Sequence, residues 1–288
     1  MSFIDAEIAS QPACWGRVVA GGHDIGRPGE SVAVVGCGTS WFIAMAYAGL
    51  RETAGQGRTD AFAASEFPLG REYDRVVAIS RSGTTTEVVE LLKAVSGPTT
   101  VITGVAGSPV TEIADQVVVL DYADERSVVQ TRFATTALAL LRASLGEDLT
   151  QAIADAKTAL DAPLGALPEA DQFTFLGRGW TVGLAQEAAL KMREAAGAWT
   201  EAYPAMEYRH GPISIAQPGR VTWMFGATPA GLAAEVTATG AAFVESGGLD
   251  PLAHLVLAQR VAAAAARLRG LDPDQPRNLT RSVILAGA

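Results

Sequence analysis

The segment Ser80-Arg81-Ser82-Gly83-Thr84-Thr85 follows a short apolar run and precedes a helical one. It gathers hydroxyl side chains around a glycine at a helix N-terminus, where free backbone N–H groups and the helix dipole both favour an anion. Such a loop suits a phosphate monoester; Ser and Thr in this place also serve simply as an N-cap and turn. A weaker loop of the same kind is Gly36-Cys37-Gly38-Thr39-Ser40. It does not complete a dinucleotide fingerprint, because Trp41 stands where the third glycine is needed.

Further along, Glu187, Lys191 and Glu194 are spaced i, i+4 and i+7, so all three project from one helix face. That spacing fits a solvated face with ion pairs worth roughly a few tenths of a kcal/mol. It also fits a carboxylate acid–base beside a cation, since the helix starts just after a Gly-Arg-Gly turn where open α/β sheets bind ligands. His210 lies in Glu207-Tyr208-Arg209-His210-Gly211-Pro212, a loop by its glycine and proline. A histidine there is either merely exposed or, with its near-neutral pKa, a proton shuttle. The stretch from Asp272 to Arg281 is too rich in proline for a helix and reads as a tail.

The elements that must position these groups are legible as hydrophobic runs. Strands are expected at Ser31–Gly36, Arg75–Ile79, Thr99–Thr103 and Gln116–Leu120, with helices from Ser40 to about Glu52 and from Glu87 to Val95. Continuous apolar strands alternating with helices indicate a parallel sheet covered on both faces. The opening then recurs: Val34-Val35-Gly36-Cys37-Gly38 has a counterpart in Phe175-Leu176-Gly177-Arg178-Gly179, and Val221–Phe225 repeats the next strand. This order reads as an internal duplication of a doubly wound unit, although two ordinary strand–glycine–helix turns give the same residues. The stretch from Pro163 to Glu169 is the linker candidate.

Composition narrows the function classes. Apolar residues make up 49% and charged residues 18% of the 288, which fits a packed α/β enzyme rather than a disordered chain. A net charge of −9 argues against a nucleic-acid partner but not against one small anion held by local donors. The two cysteines, Cys14 and Cys37, supply neither a disulfide framework nor a zinc site. The acidic start Asp5-Ala6-Glu7 lacks signal-peptide character, and the Ala-rich run from Val261 to Ala266 is too short to span a membrane. A cytoplasmic protein without membrane, metal or organic cofactor is expected.

In order along the chain, Cys37–Ser40, Ser65–Phe67, Ser80–Thr85, Glu125–Thr136, Leu176–Gly179, Glu187–Glu194, Glu201–Tyr203, Glu207–Pro212 and Asp272–Ser282 resemble the SIS (sugar isomerase) family. Within it they are similar to the isomerase half of glucosamine-6-phosphate synthase. The resemblance implies an α/β chain of two tandem doubly wound parallel-sheet, flavodoxin-like SIS subdomains, over 1–162 and 163–271, with a tail, 272–288, closing the active site. It implies that Gly38, Thr39, Ser40, Ser80, Arg81, Ser82, Thr85, Val128, Gln130, Thr280 and Arg281 hold a sugar phosphate. Glu194 would carry a proton between C1 and C2, supported by Lys191 and Glu187. His210 would open the sugar ring from across a homodimer interface.

Three departures shape the expected reaction. No part of the 288 residues resembles the synthase's glutaminase half, so no glutaminase activity is expected. Arg281 replaces the synthase lysine, and a guanidinium stays protonated and forms no Schiff base. Gln130 replaces a sugar-contacting serine. The expectation is an amino-sugar-6-phosphate deaminase/isomerase; a deglycase or plain aldose–ketose isomerase would use the same proton transfer. The reading from another class is a non-catalytic sugar-phosphate sensor, which needs the serine loop but not Glu194, Lys191 or His210.

Overall fold

A computed structural model of the chain describes residues 2–19 and 25–285, so the outermost ends of the 1–162 and 272–288 spans lie outside the described residues. Helix α1 (Phe3–Val19) is followed by β1 (Val32–Gly36), α2 (Thr39–Thr53), β2 (Thr59–Ala63), β3 (Arg75–Ser80), α3 (Thr86–Ala94), β4 (Thr99–Thr103), α4 (Pro109–Ile113), β5 (Gln116–Val119) and α5 (Arg132–Ser144). The five strands form one parallel sheet in the order β2-β1-β3-β4-β5. This is the flavodoxin-like order, whose switch point lies between the carboxyl ends of β1 and β3.

Central burial explains the sequence pattern. Every residue of β1 and of β3 is buried, so neither alternates polar with apolar. Val88, Leu91 and Leu92 of α3 and Val110 of α4 form one core with Ala33, Val35, Val76, Ala78 and Val101 of the sheet. Helix α2 packs on β1, β2 and α5. Its buried Arg51 donates to the carbonyls of Arg27, Glu30 and Gly57 and to the Thr59 hydroxyl, which fixes the α2–β2 connection.

The chain continues with α6 (Thr150–Asp161), β6 (Gln172–Gly177), α7 (Thr181–Ala196), β7 (Trp199–Pro204), β8 (Arg220–Met224), α8 (Leu232–Ala238), β9 (Ala242–Val244) and α9 (Pro251–Leu268). These strands make a second parallel sheet, β7-β6-β8-β9, which repeats the first four positions of the flavodoxin-like order. The fold is therefore α/β with two tandem doubly wound sheets. One compact unit comprises Ala13–Arg126, Gln130–Leu149 and the chain from Thr280; the other comprises Thr150–Leu279 with residues 2–12 and Ser127–Val129. Among the described residues, no helix is long and apolar enough to cross a membrane.

Three strands escaped the sequence reading: β2, β7 and β9. All are edge strands and only partly covered: β2 and β7 mix polar with apolar residues, and β9 is just three residues long.

One face of the second sheet is aromatic: Phe173, Phe175, Trp223 and Phe225 stack together, and His254 of α9 lies 5.0 Å from the Trp223 ring. His254 is 1% exposed, its Nδ1 accepts from the Trp223 indole at 3.4 Å, and burial pushes its imidazole down to about 4. An unfolded histidine titrates near 6.5. Between these values the unfolded chain binds a proton that the folded chain refuses, so stability falls as pH drops through that window. Urea denaturation of wild type is expected to show about 3 kcal/mol more loss from pH 7 to pH 4 than a His254→Phe variant. Equal losses would show that His254 does not titrate as described.

Candidate active site

Both sheets open onto their first helix through the same turn. A Cβ added to Gly36 would lie 2.6 Å from Ser40 Cβ, and one added to Gly177 would lie 2.3 Å from the Thr181 carbonyl oxygen. No real side chain tolerates either approach, so glycine is required at both strand ends. Two residues on, Gly38 and Gly179 share a φ of 53°. In the first unit this turn delivers the buried Thr39 and Ser40 to the switch point of the sheet.

There Ser40 meets the serine loop. Ser40, Ser80, Arg81, Ser82, Thr85, Gln130 and Arg281 all line a small polar pocket at the carboxyl ends of β1 and β3, with Cys37 beside them. Buried Ser80 Oγ and Gln130 Oε1 have no hydrogen-bond partner among the described residues. Thr85 occupies the N-cap of α3, yet its hydroxyl makes no capping bond. A loop built only to cap the helix would use that hydroxyl for the cap. Unsatisfied buried oxygens facing a pocket carry a desolvation cost of about 1–3 kcal/mol each, which a ligand would offset. Cys37 is not a nucleophile here, because burial, reinforced by Glu87, pushes its thiol up to about 11.

The chain's tail lies over the same loop. Ser282 Oγ accepts from Ser82 at 3.0 Å and from Thr84 at 2.9 Å, and the Val283 carbonyl accepts from the Thr86 amide at 3.2 Å. Buried Arg81 donates to the Arg281 carbonyl at 2.7 Å. The Arg281 guanidinium reaches both oxygens of Asp124, at 2.5 and 2.7 Å, and the Glu125 carbonyl. A fork-shaped cation held this way is a strut, not an amine nucleophile. The pocket, with Arg281 in its lining, measures about 30 Å³.

The other unit contains the charged cluster. On α7, Lys191 Nζ lies 2.5 Å from Glu194 Oε2 and 3.5 Å from Glu187 Oε1. The side chains of Glu187 and Lys191 are 0% and 1% exposed, whereas that of Glu194 is 20% exposed. This is a buried ion cluster rather than a solvated face. Glu194 contributes to a pocket of about 430 Å³ with Arg193, Asp272, Gln275, Arg277 and Asn278. The Arg193 guanidinium is pushed down by burial, opposed by the carboxylates of Glu194 and Glu187.

His210 stands on its own loop, exposed, at the end of the short 3₁₀ turn Glu207–His210. Two neighbours fix that turn: buried Tyr208 bonds Thr222 at 3.0 Å, and Arg209 holds Glu235 at 2.7 and 2.9 Å. Val128 is half-buried in the same unit as α7, its amide donating to the Asp274 carbonyl at 3.2 Å. Gly38 and Thr39 form the turn behind the serine pocket, while Thr280 bonds the Ser282 carbonyl and stays exposed.

Sequence reasoning gave no role to Asp124, Glu125 or Asp274. Buried Glu125 accepts from the Thr131 amide and hydroxyl and the Arg132 amide at 2.6–2.8 Å, and so caps α5 from six residues upstream. No spacing rule marks a cap from that distance.

Residues 27–145, which include the serine loop, match the family profile described as the SIS domain. The chain is 29% identical to an isomerizing glutamine–fructose-6-phosphate aminotransferase of Pyrobaculum aerophilum over 88% of its length and 51% of that protein. It is 28% identical to the corresponding protein of Methanothermobacter thermautotrophicus, over 98% of its length and 57% of that protein. The chain thus spans about half the length of the curated relatives it matches. Among solved structures it resembles a glucosamine-6-phosphate deaminase of Thermotoga maritima, with TM-score 0.83 and 26% identity over 99% of this chain and 100% of that one. A tagatose-6-phosphate ketose/aldose isomerase of Escherichia coli shares the fold, with TM-score 0.81 and 17% identity over 100% and 97% of the two chains.

Proposed function

We propose that the chain is a phosphosugar isomerase of the SIS type, acting as a deaminase/isomerase on a 2-amino-2-deoxyhexose 6-phosphate. The observation that carries this reading is the α7 cluster: of its three charged side chains, the Glu194 carboxylate is the one open to a pocket, and the Lys191 ammonium is buried against it. A sensor needs no such buried cation beside an accessible carboxylate.

The serine loop is assigned the phosphate. Ser80, Ser82, Thr85 and Ser40 supply hydroxyls, Arg81 and Arg281 supply charge, and α3 supplies its N-terminal amides. Val283 occupies the Thr86 amide, so the residues after Arg281 have to move aside before that amide can meet a phosphate, while Arg281 itself stays in the pocket lining. Glu194 is assigned the proton transfer: it removes the C2 proton of the open-chain aldehyde and returns a proton to C1. Lys191 stabilises the oxygen on which negative charge develops, with Glu187 holding the ammonium in place. The product of that transfer is a ketimine at C2; water adds to it and ammonia leaves, giving a ketose 6-phosphate. His210, exposed on an anchored loop, is assigned ring opening in a homodimer, on the neighbouring subunit's sugar. The Thermotoga maritima relative supports a deaminase over a synthase, as does Arg281, whose paired guanidinium cannot form a Schiff base.

The test is to incubate the protein in deuterated buffer with a panel of hexosamine and hexose 6-phosphates. Ammonia, fructose 6-phosphate and deuterium at C1 are expected from glucosamine 6-phosphate or an epimer. Ketose without ammonia, from hexose phosphates alone, would replace the deaminase by a plain isomerase. Ligand binding with no exchange at C2 for any sugar would leave only a sensor.

A further inference from the structure

The pocket onto which Glu194 opens has one wall, residues 272–278, that contains no helix or strand. Its anchorage converges on Asp274. The Asp274 carboxylate accepts from the Phe3 amide at 2.8 Å and from the Ile4 amide at 2.7 Å, satisfying two of the N-terminal donors of α1. Its carbonyl accepts from the Val128 amide at 3.2 Å, and the preceding Pro273 carbonyl accepts from the Ser127 hydroxyl at 3.3 Å. Ser127 in turn donates its amide to Glu7 of α1 at 3.3 Å. Asp272 braces the turn by accepting from the Asp274 amide at 2.9 Å. A helix cap is ordinarily the residue just before its helix. Here it arrives from about 270 residues away, inside the segment that walls a pocket.

We infer that Asp274 is a positioning residue: it clamps the pocket wall and the Ser127–Val128 segment to the start of α1, and so sets the geometry around Glu194. This rests on the proton-transfer role given to Glu194 above. Asp274 is given no contact with substrate, and its hydrogen bonds to Phe3, Ile4, Val128 and Asp272 all lie within its own unit, so turnover should suffer more than substrate affinity.

Three variants separate a clamp from a mere helix cap. Asp274→Ala removes both acceptors, and Asp274→Asn keeps one carbonyl oxygen. Asp5→Ala breaks the Asp5–Arg267 pair at 2.5 Å on the same helix without touching the wall. For Asp274→Ala, kcat is expected to fall on the order of tenfold or more, with KM within about threefold, because ångström-scale misplacement of a catalytic group costs that much. Asp274→Asn should recover part of the loss, and Asp5→Ala should keep wild-type kcat. Amide hydrogen exchange should rise at 127–129 and 272–278 in Asp274→Ala alone. Unchanged kcat or unchanged exchange in Asp274→Ala, or equal effects in Asp5→Ala, overturns the clamp. If wild type turns over no sugar phosphate, the role of Glu194 falls instead. The clamp is then judged on exchange alone: a rise at those two segments supports it, and no rise overturns it.

Discussion

Glu194→Gln is expected to lower kcat for C1–C2 proton transfer by about 10³-fold, within the 10²–10⁴ range that a positioned acid–base group contributes. The substitution keeps the shape of the side chain and removes only its capacity to take and return a proton. Lys191 Nζ, now 2.5 Å from Glu194 Oε2, can still meet an amide oxygen there and keeps Glu187 at 3.5 Å. The cluster should therefore remain folded. Binding of fructose 6-phosphate, read by calorimetry, should change little, since the serine loop and its arginines are untouched. Solvent-deuterium uptake by bound sugar is the sharper readout, because it reports proton transfer whether or not ammonia is released. Persistent uptake at the wild-type rate would mean that another group is the base. Loss of binding together with exchange would mean that Glu194 holds the sugar rather than transferring its proton.

The central strands were legible because burial there is close to uniform, and the edge strand β5 because Val117, Val118 and Val119 still make an apolar run. β1, β3, β4, β6 and β8 lie inside their sheets and write themselves as apolar runs, and the Gly36 and Gly177 turns mark the start of each doubly wound unit because nothing larger fits there. β2 and β7 carry Asp60, Glu201 and Tyr203 on half-open surfaces, so their pattern looks like loop. The same distinction runs through the site. The serine loop is contiguous, so its hydroxyls could be read together. The spacing of Glu187, Lys191 and Glu194 fixed a common helix face, but spacing cannot tell a face turned to water from one turned inward. Burial of Lys191 to 1% exposure depends on what packs against α7, chiefly α9, more than sixty residues later. Asp274 and Glu125 were invisible for a related reason. Each satisfies backbone donors that only the folded chain brings near, and a lone Asp or Glu in a polar stretch carries no sign of that.

Lys191→Met should destabilise the protein by about 3–5 kcal/mol at neutral pH, the usual cost of removing one partner from a buried charge cluster. Methionine matches the length and flexibility of the lysine stem, so little of the loss should come from packing. What is lost is the cation beside a carboxylate, Glu187, whose side chain has no exposure at all. Glu194, at 20% exposure, can recruit water and contributes less to the penalty. The double variant Lys191→Met with Glu187→Leu is therefore expected to recover most of the stability, since replacing both members of a buried pair by apolar groups is often close to neutral. Urea denaturation of wild type, the two single variants and the double variant gives the coupling energy directly. A loss below about 1 kcal/mol for Lys191→Met would place the cluster in the range of surface pairs. In that event Lys191 is no rigid electrostatic partner for Glu194, and the stabilisation of negative charge during proton transfer has to come from another cation.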